Sequence, residues 1–171
     1  GEDVRAGTHI IRKGQTLRAA DLAVLASQGH TEAAVYRRPR VAVASTGDEL
    51  LPPGEALRPG KIYNSNLFLI AARLKELGLD PVVLGILPDD VEEAAREIAA
   101  HAEGIDLFLT TGGVSVGKKD IMHGVVPAMG AERIFWRVNM KPGAPAIAYT
   151  RGDMLGIALS GNPFAAYATF E

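Results

Sequence analysis

The chain has 171 residues, 47% hydrophobic and 22% charged, with a formal net charge of −2, the balance of a folded domain with one good core and a small accessory element. It has no cysteine, which excludes disulfides, thiolate zinc sites, iron–sulfur clusters and cysteine nucleophiles. Its near-neutral charge leaves no footprint for nucleic acid, and no apolar run approaches the roughly 20 residues that span a bilayer.

Four histidines (His9, His30, His101, His123) are dispersed without zinc-helix spacing. Gly1-Glu2-Asp3 lacks the basic-then-apolar layout of a signal peptide, so a cytoplasmic location is expected. The chain opens without Met and stops at Glu171 inside an expected helix with no C-terminal cap signal, the pattern of a fragment of a longer protein.

In chain order, Val4 to Ile11 and Thr31 to Tyr36 are expected as short strands, with a turn at Gly14 to Leu17 and a helix over Ala19 to Ser27 closed by Gly29. Residues 1–39 are thus expected to be a small α+β remnant of a neighbouring domain, ending in the linker Arg37-Arg38-Pro39. From Arg40 to Glu171 strand and helix alternate. Val41 to Ser45 is a compact apolar strand. Asn64 to Gly78 is a helix, with Leu67, Ile70, Ala71, Leu74 and Leu77 at helical spacing. Pro81 to Leu87 and Ile105 to Thr110 read as further strands, separated by a helix over Asp89 to Glu103. A helix over Asp120 to Met129 ends at Gly130, strands follow near Arg133–Val138, Ala146–Tyr149 and Leu155–Leu159, and a last helix opens at Asn162-Pro163. The pattern predicts an α/β fold: a mostly parallel sheet in a three-layer α/β/α arrangement. Such sheets bind ligands at the carboxyl ends of their strands, which directs attention to the loops after each strand.

Those loops carry the unusual residues. Ser45-Thr46-Gly47-Asp48-Glu49-Leu50 places two carboxylates after a turn that Gly permits; a loop with surface acids is the plain alternative. Thr110-Thr111-Gly112-Gly113-Val114-Ser115-Val116-Gly117 offers free N–H groups and hydroxyls to phosphate oxygens, and is neither a Walker loop nor a dinucleotide fingerprint. Leu159-Ser160-Gly161-Asn162-Pro163 is a second strand-to-helix turn, equally a good helix start. Met140-Lys141-Pro142-Gly143-Ala144-Pro145 is a stiff loop presenting Lys141, a point charge suited to an oxyanion. Asp89-Asp90 and Asn64-Ser65-Asn66 can both be read as helix caps. Together the loops offer phosphate cradles, a lysine and three separated carboxylates (Glu49, Asp89, Asp120), a combination suited to a phosphate-bearing ligand with Mg²⁺ bridging it to carboxylates.

Thr46-Gly47-Asp48-Glu49-Leu50, Ile62-Tyr63-Asn64-Ser65-Asn66, Thr111 to Gly117, Met140-Lys141-Pro142-Gly143 and Gly161-Asn162-Pro163, in this order, resemble the successive signatures of the MoeA-type molybdopterin molybdenumtransferases, the family that includes the E domain of gephyrin. The resemblance covers essentially the whole chain. It implies a molybdopterin-binding fold over residues 40–171, a homodimeric full-length protein, and insertion of molybdate into adenylylated molybdopterin with AMP released and Mg²⁺ assisting. By the same resemblance Glu49, Asp89 and Asp120 are the crevice carboxylates for metal or catalysis, with Lys141 among the catalytic groups. Lys141 and Arg137 hold anionic groups, and Thr46, Asp48, Asn64, Asn66, Thr111, Gly112, Gly113, Ser115, Gly161, Asn162 and Pro163 line the nucleotide–pterin pocket.

The chain departs from the family pattern at four places. Lys118 and Lys119 precede Asp120 where an acidic residue is usual, and Ala144 stands where the family has a second lysine. Ser160 replaces a stiffening proline, and Ala165 replaces a small hydroxyl residue. The lost cation at Ala144 is expected to be offset only in part by Lys118 or Lys119 from the neighbouring loop. Two other readings follow: a divergent module that binds molybdopterin or nucleotide without inserting metal, and a molybdopterin adenylyltransferase of the smaller single-domain type.

Overall fold

Val41–Thr46, the first strand (β1), is buried at every position, as its unbroken run of small and β-branched residues requires of a strand covered on both faces. The computed structural model describes residues 3–115 and 120–171; Lys118 and Lys119 lie outside the described residues. The chain divides into two compact units, residues 1–37 and 38–171.

In the first unit, helix α1 (Ala19–Ser27) has the expected bounds, and its N-terminus is held by the Asp21 carboxylate, which accepts the Arg18 N–H at 2.8 Å. The strands expected at Val4–Ile11 and Thr31–Tyr36 do not form. Thr8 instead closes a turn onto the Arg5 carbonyl, and Val35 and Tyr36 are exposed. Neither segment has a ladder partner within the unit, and a lone extended segment cannot satisfy its own backbone groups.

In the second unit, after β1 come β2 (Leu50–Leu51), β3 (Ile62–Tyr63), α2 (Ser65–Glu76), β4 (Val82–Leu87), α3 (Val91–Ala100), β5 (Leu107–Thr111), α4 (Met122–Ala128), β6 (Glu132–Trp136), β7 (Ile147–Arg151), β8 (Met154–Leu159) and α5 (Pro163–Phe170). The main sheet has the order β4-β1-β5-β8-β7-β6. Strands β4, β1, β5 and β8 run parallel; β7 is antiparallel to both β8 and β6.

Helices cover both faces, as expected. Leu67, Ile70 and Leu74 of α2, with Ala166 of α5, pack on Val41, Val43, Leu109 and Leu159. On the other face Ala94 and Ile98 of α3, with Met122, Val125 and Val126 of α4, pack on Ala42, Ala44, Phe108 and Ala158. Alternate residues of one strand therefore feed two separate cores, the period-2 consequence of the pleat. The connection from β1 goes outward to β4, and that from β4 returns past β1 to β5. The chain reverses direction across the sheet between β1 and β5, where open α/β sheets form their crevice.

The pair β2–β3, two residues each and parallel, was not expected from the sequence. It is too short to leave a periodic trace, and its bonds are set by the loop it closes.

Candidate functional site

A cleft of about 220 Å³ opens at the carboxyl ends of the four parallel strands. Thr46, Gly47 and Glu49 follow β1, Asp89 follows β4, Thr111 to Ser115 follow β5, and Ser160 and Gly161 follow β8. Asn66 from the first turn of α2 and Asp120 complete the lining, with Leu50 and Ile62 of the small ladder at one side.

The close approach of β1 and β5 at this end depends on glycine. Gly112 has φ of +94°, and a Cβ there would lie 2.4 Å from the Thr46 carbonyl oxygen. Its N–H donates to the Leu159 carbonyl at 2.9 Å, which binds the Gly-rich loop to β8. Gly161 lies against it, a Cβ on Gly161 falling 3.6 Å from the Gly112 Cα. At Gly47 a Cβ would meet the Glu49 carboxylate at 2.9 Å, so the Glu49 side chain folds back over its own turn.

Behind the cleft a buried hydroxyl network ties three elements together. The Leu67 N–H donates to Asn64 Oδ1 at 3.3 Å, which fixes the amide orientation, since an N–H can only donate. Ser45 Oγ then donates its proton to the same oxygen at 3.0 Å. The Thr111 hydroxyl, 2.8 Å from Ser45 Oγ, must therefore donate to Ser45. Asn64 thus caps α2 and links it to β1, while Asn66 Nδ2 donates to the Gly161 carbonyl at 2.8 Å and joins α2 to the β8 loop.

The two adjacent aspartates separate in role. Asp90 caps α3 by accepting the Glu93 N–H at 2.9 Å. Asp89 instead accepts the Asp48 N–H at 2.9 Å and faces the cleft. The capping reading holds for one residue of the pair and frees the other.

Of the residues singled out in the sequence, the cleft brings together Thr46, Glu49, Asn66, Asp89, Thr111, Gly112, Gly113, Ser115, Asp120 and Gly161. Asp48, Asn64, Arg137, Lys141, Asn162 and Pro163 are not part of its lining. Asp48 is exposed and receives the Lys61 ammonium on its carbonyl. Asn162 caps α5 by accepting the Ala165 N–H at 3.1 Å, with Pro163 as the first helical residue. Lys141 is exposed on a loop that Thr169 fastens to α5 through the Gly143 carbonyl. Ser160, in place of proline, stiffens its turn another way: its Oγ accepts the Asn162 N–H at 3.3 Å.

Two residues that sequence reasoning passed over hold the Gly-rich loop from outside. Trp136 Nε1 donates to the Val114 carbonyl at 3.2 Å, and His123 Nε2 lies 3.1 Å from the Ser115 carbonyl. Their rings meet edge to face at 4.8 Å. The Arg137 guanidinium sits 5.6 Å from the centre of the Trp136 ring, and Arg137 takes φ of +74°, a sparsely populated conformation for a side-chain-bearing residue. The single tryptophan of the chain was the only available signal.

Among the described residues no group of three or more His, Asp or Glu side chains is placed to hold a metal ion alone. The cleft's donors are hard carboxylate oxygens. They fit Mg²⁺ held by one or two carboxylates together with ligand phosphates, and do not fit an all-protein cage.

An acidic, glycine-lined cleft at the reversal point of a mainly parallel sheet is the place where open α/β domains hold their ligands. A family profile described as "Probable molybdopterin binding domain" matches residues 42–171. The chain belongs to that molybdopterin-binding domain family. It is 37% identical over its full length to the molybdopterin molybdenumtransferase of Bacillus subtilis strain 168 and covers 40% of that protein. It is 38% identical to the enzyme of the same name from Haemophilus influenzae, with 99% of this chain and 42% of that protein aligned. Thus the chain spans about 40% of the length of the curated relatives it matches. A crystal structure of the molybdopterin biosynthesis MoeA protein of Pyrococcus horikoshii OT3 superposes with a TM-score of 0.76 at 28% identity, over 99% of this chain and 40% of that one. Molybdenum cofactor biosynthesis protein B shares the fold, with a TM-score of 0.56 at 18% identity over 79% of this chain and 88% of that one.

Proposed function

We propose that this chain is the pterin- and nucleotide-binding part of a molybdopterin molybdenumtransferase, acting in molybdenum cofactor biosynthesis by inserting molybdate into adenylylated molybdopterin with release of AMP. The observation that carries the reading is the convergence of Glu49, Asp89 and Asp120 with the Gly112–Ser115 loop on one cleft. The loop's N–H groups and the Ser115 hydroxyl suit phosphate oxygens, and the carboxylates suit the Mg²⁺ that neutralises them. When bound, Mg²⁺ would supply charge for the departing phosphate. Glu49, Asp89 and Asp120 line the same cleft. Arg137 and Lys141 stand outside the lining and act in this reading as cations that draw the anionic substrate in. Asp48, Asn64, Asn162 and Pro163 act by holding the turns and caps that shape the pocket. The same reading carries a homodimeric full-length protein and a cytoplasmic location; no helix among the described residues is long and apolar enough to cross a membrane.

Glu49→Ala in the full-length protein tests it. The expected result is loss of molybdate-dependent AMP release by a hundredfold or more, on the order of the loss when a positioned charged group is removed. Unchanged release refutes the assignment.

Ala144 favours a second reading, a binding module that no longer inserts metal. Its carbonyl accepts the Val138 N–H at 2.9 Å, and it is half-buried, so no cation reaches out from this position. Calorimetric titration with AMP, Mg²⁺ and molybdate separates the two: binding strengthened by molybdate supports the insertase, and binding indifferent to it supports the module.

A further inference from the structure

Three successive carbonyls of the Gly-rich loop are each held by a donor from α4 or β6. The Gly113 carbonyl accepts the Met122 N–H at 3.0 Å. The Val114 carbonyl accepts Trp136 Nε1 at 3.2 Å, and the Ser115 carbonyl lies 3.1 Å from His123 Nε2. A carbonyl oxygen can only accept, so His123 Nε2 carries the proton of this bond. The N–H side of the loop is the reverse. Val114 and Ser115 line the cleft, and among the described residues their N–H groups meet no acceptor.

Both halves of this pattern follow from the geometry of the peptide bond. In a trans peptide the C=O of one residue and the N–H of the next point in opposite directions. Holding the Gly113 carbonyl toward α4 therefore turns the Val114 N–H away from that helix. Holding the Val114 carbonyl toward Trp136 turns the Ser115 N–H away from the indole. A peptide unit that turned over would offer a carbonyl oxygen where its N–H had been. A phosphate oxygen would then meet an acceptor in place of a donor. The Met122 N–H is main chain and comes with α4 itself, so the side-chain donors are Trp136 and His123. The indole is fixed in turn by the His123 ring, edge to face at 4.8 Å, and by the Arg137 guanidinium, 5.6 Å from its centre.

We infer that Trp136 and His123 are positioning residues for anion binding, which hold the peptide units of the Gly-rich loop with their N–H groups presented to the ligand. Neither side chain lines the cleft, so both act through the loop. The inference rests on the reading of the Gly112–Ser115 loop as a phosphate site. It gives a task to two side chains that stand behind that site.

Calorimetric titration of the full-length protein with pyrophosphate and with AMP tests it, with the melting temperature of each variant measured alongside. Trp136→Phe keeps an aromatic ring and removes the indole N–H. His123→Leu removes the donor to Ser115, and His123→Gln supplies an amide N–H at about the reach of Nε2. The expected result is about three- to tenfold weaker pyrophosphate binding in Trp136→Phe and in His123→Leu, one hydrogen bond being lost in each. His123→Gln should bind within about twofold of the wild type, and the melting temperatures should stay close together. Wild-type affinity in either Trp136→Phe or His123→Leu overturns the inference alone. So does a His123→Gln as weak as His123→Leu, or a melting temperature that falls in step with affinity, since both mark general loss of packing. A wild-type protein that binds neither probe overturns the phosphate reading and the inference with it.

Discussion

Replacing Ser45 with alanine removes the centre of the buried chain Thr111–Ser45–Asn64. Ser45 is fully buried and Thr111 nearly so, so neither lost bond is replaced by bulk water. Asn64 Oδ1 keeps the Leu67 N–H, but the Thr111 hydroxyl loses the acceptor of its only proton. Two hydrogen bonds at about 1 kcal/mol each, with a stranded donor costing about 1 kcal/mol more, give a loss of roughly 2–3 kcal/mol. For a chain of this size that lowers Tm by about 4–12 °C. Thr111→Val alone should cost about 1 kcal/mol. The double variant should cost less than the sum, because with both hydroxyls gone no donor is stranded. The coupling should be about 1–2 kcal/mol. Urea unfolding followed by far-UV circular dichroism, at constant m-value, measures all three. A Ser45→Ala loss under about 0.5 kcal/mol, or strict additivity, would refute the donor order assigned to the network.

Gly112→Ala should destabilise by about 3 kcal/mol or more, combining left-handed backbone strain with a backbone clash, and should abolish nucleotide binding. Gly161→Ala, whose nearest atom is at ordinary contact distance, should cost under about 1 kcal/mol in the same urea assay; equal effects would refute the close-approach argument. Tyr149→Phe removes a buried, unpartnered hydroxyl and should leave stability at neutral pH unchanged or raise it by about 1 kcal/mol. Burial pushes the Tyr149 phenol well above its ordinary value. Its contribution is therefore complete below the unfolded value of about 10 and lost as pH rises through the window above it. Urea midpoints from roughly pH 8 to 11 should fall in the wild type and fall less in Tyr149→Phe; parallel curves would count against this.

Much of this architecture is local chemistry and therefore legible. Leu67, Ile70 and Leu74 recur at helical spacing because one side of α2 packs on the sheet. The strand-end motifs stand out because tight turns demand Gly, Asn and Pro. What escaped was either unpartnered or distant. Val4–Ile11 has strand composition but no ladder to join. Asp89 and Asp90 are alike as neighbours, and only the fold gives one to α3 and the other to the Asp48 N–H. Ser45 and Thr111 meet across 66 positions, a separation with no periodic signature. Arg137 and Lys141 carry the charge expected of anion-holding groups, yet the folding of their loops sets both outside the cleft lining.

Trp136 is the only tryptophan in the chain, and its indole N–H ends on the Gly-rich loop. The protein thus contains an optical probe wired to its own binding loop. Red-edge excitation isolates this one indole from the four tyrosines. Any event that moves the Val114 carbonyl changes the polarity and hydrogen bonding of the excited ring, and so its emission colour and lifetime. Ligand arrival can be followed in real time without a label or a coupled reaction, and loop motion read separately from chemistry.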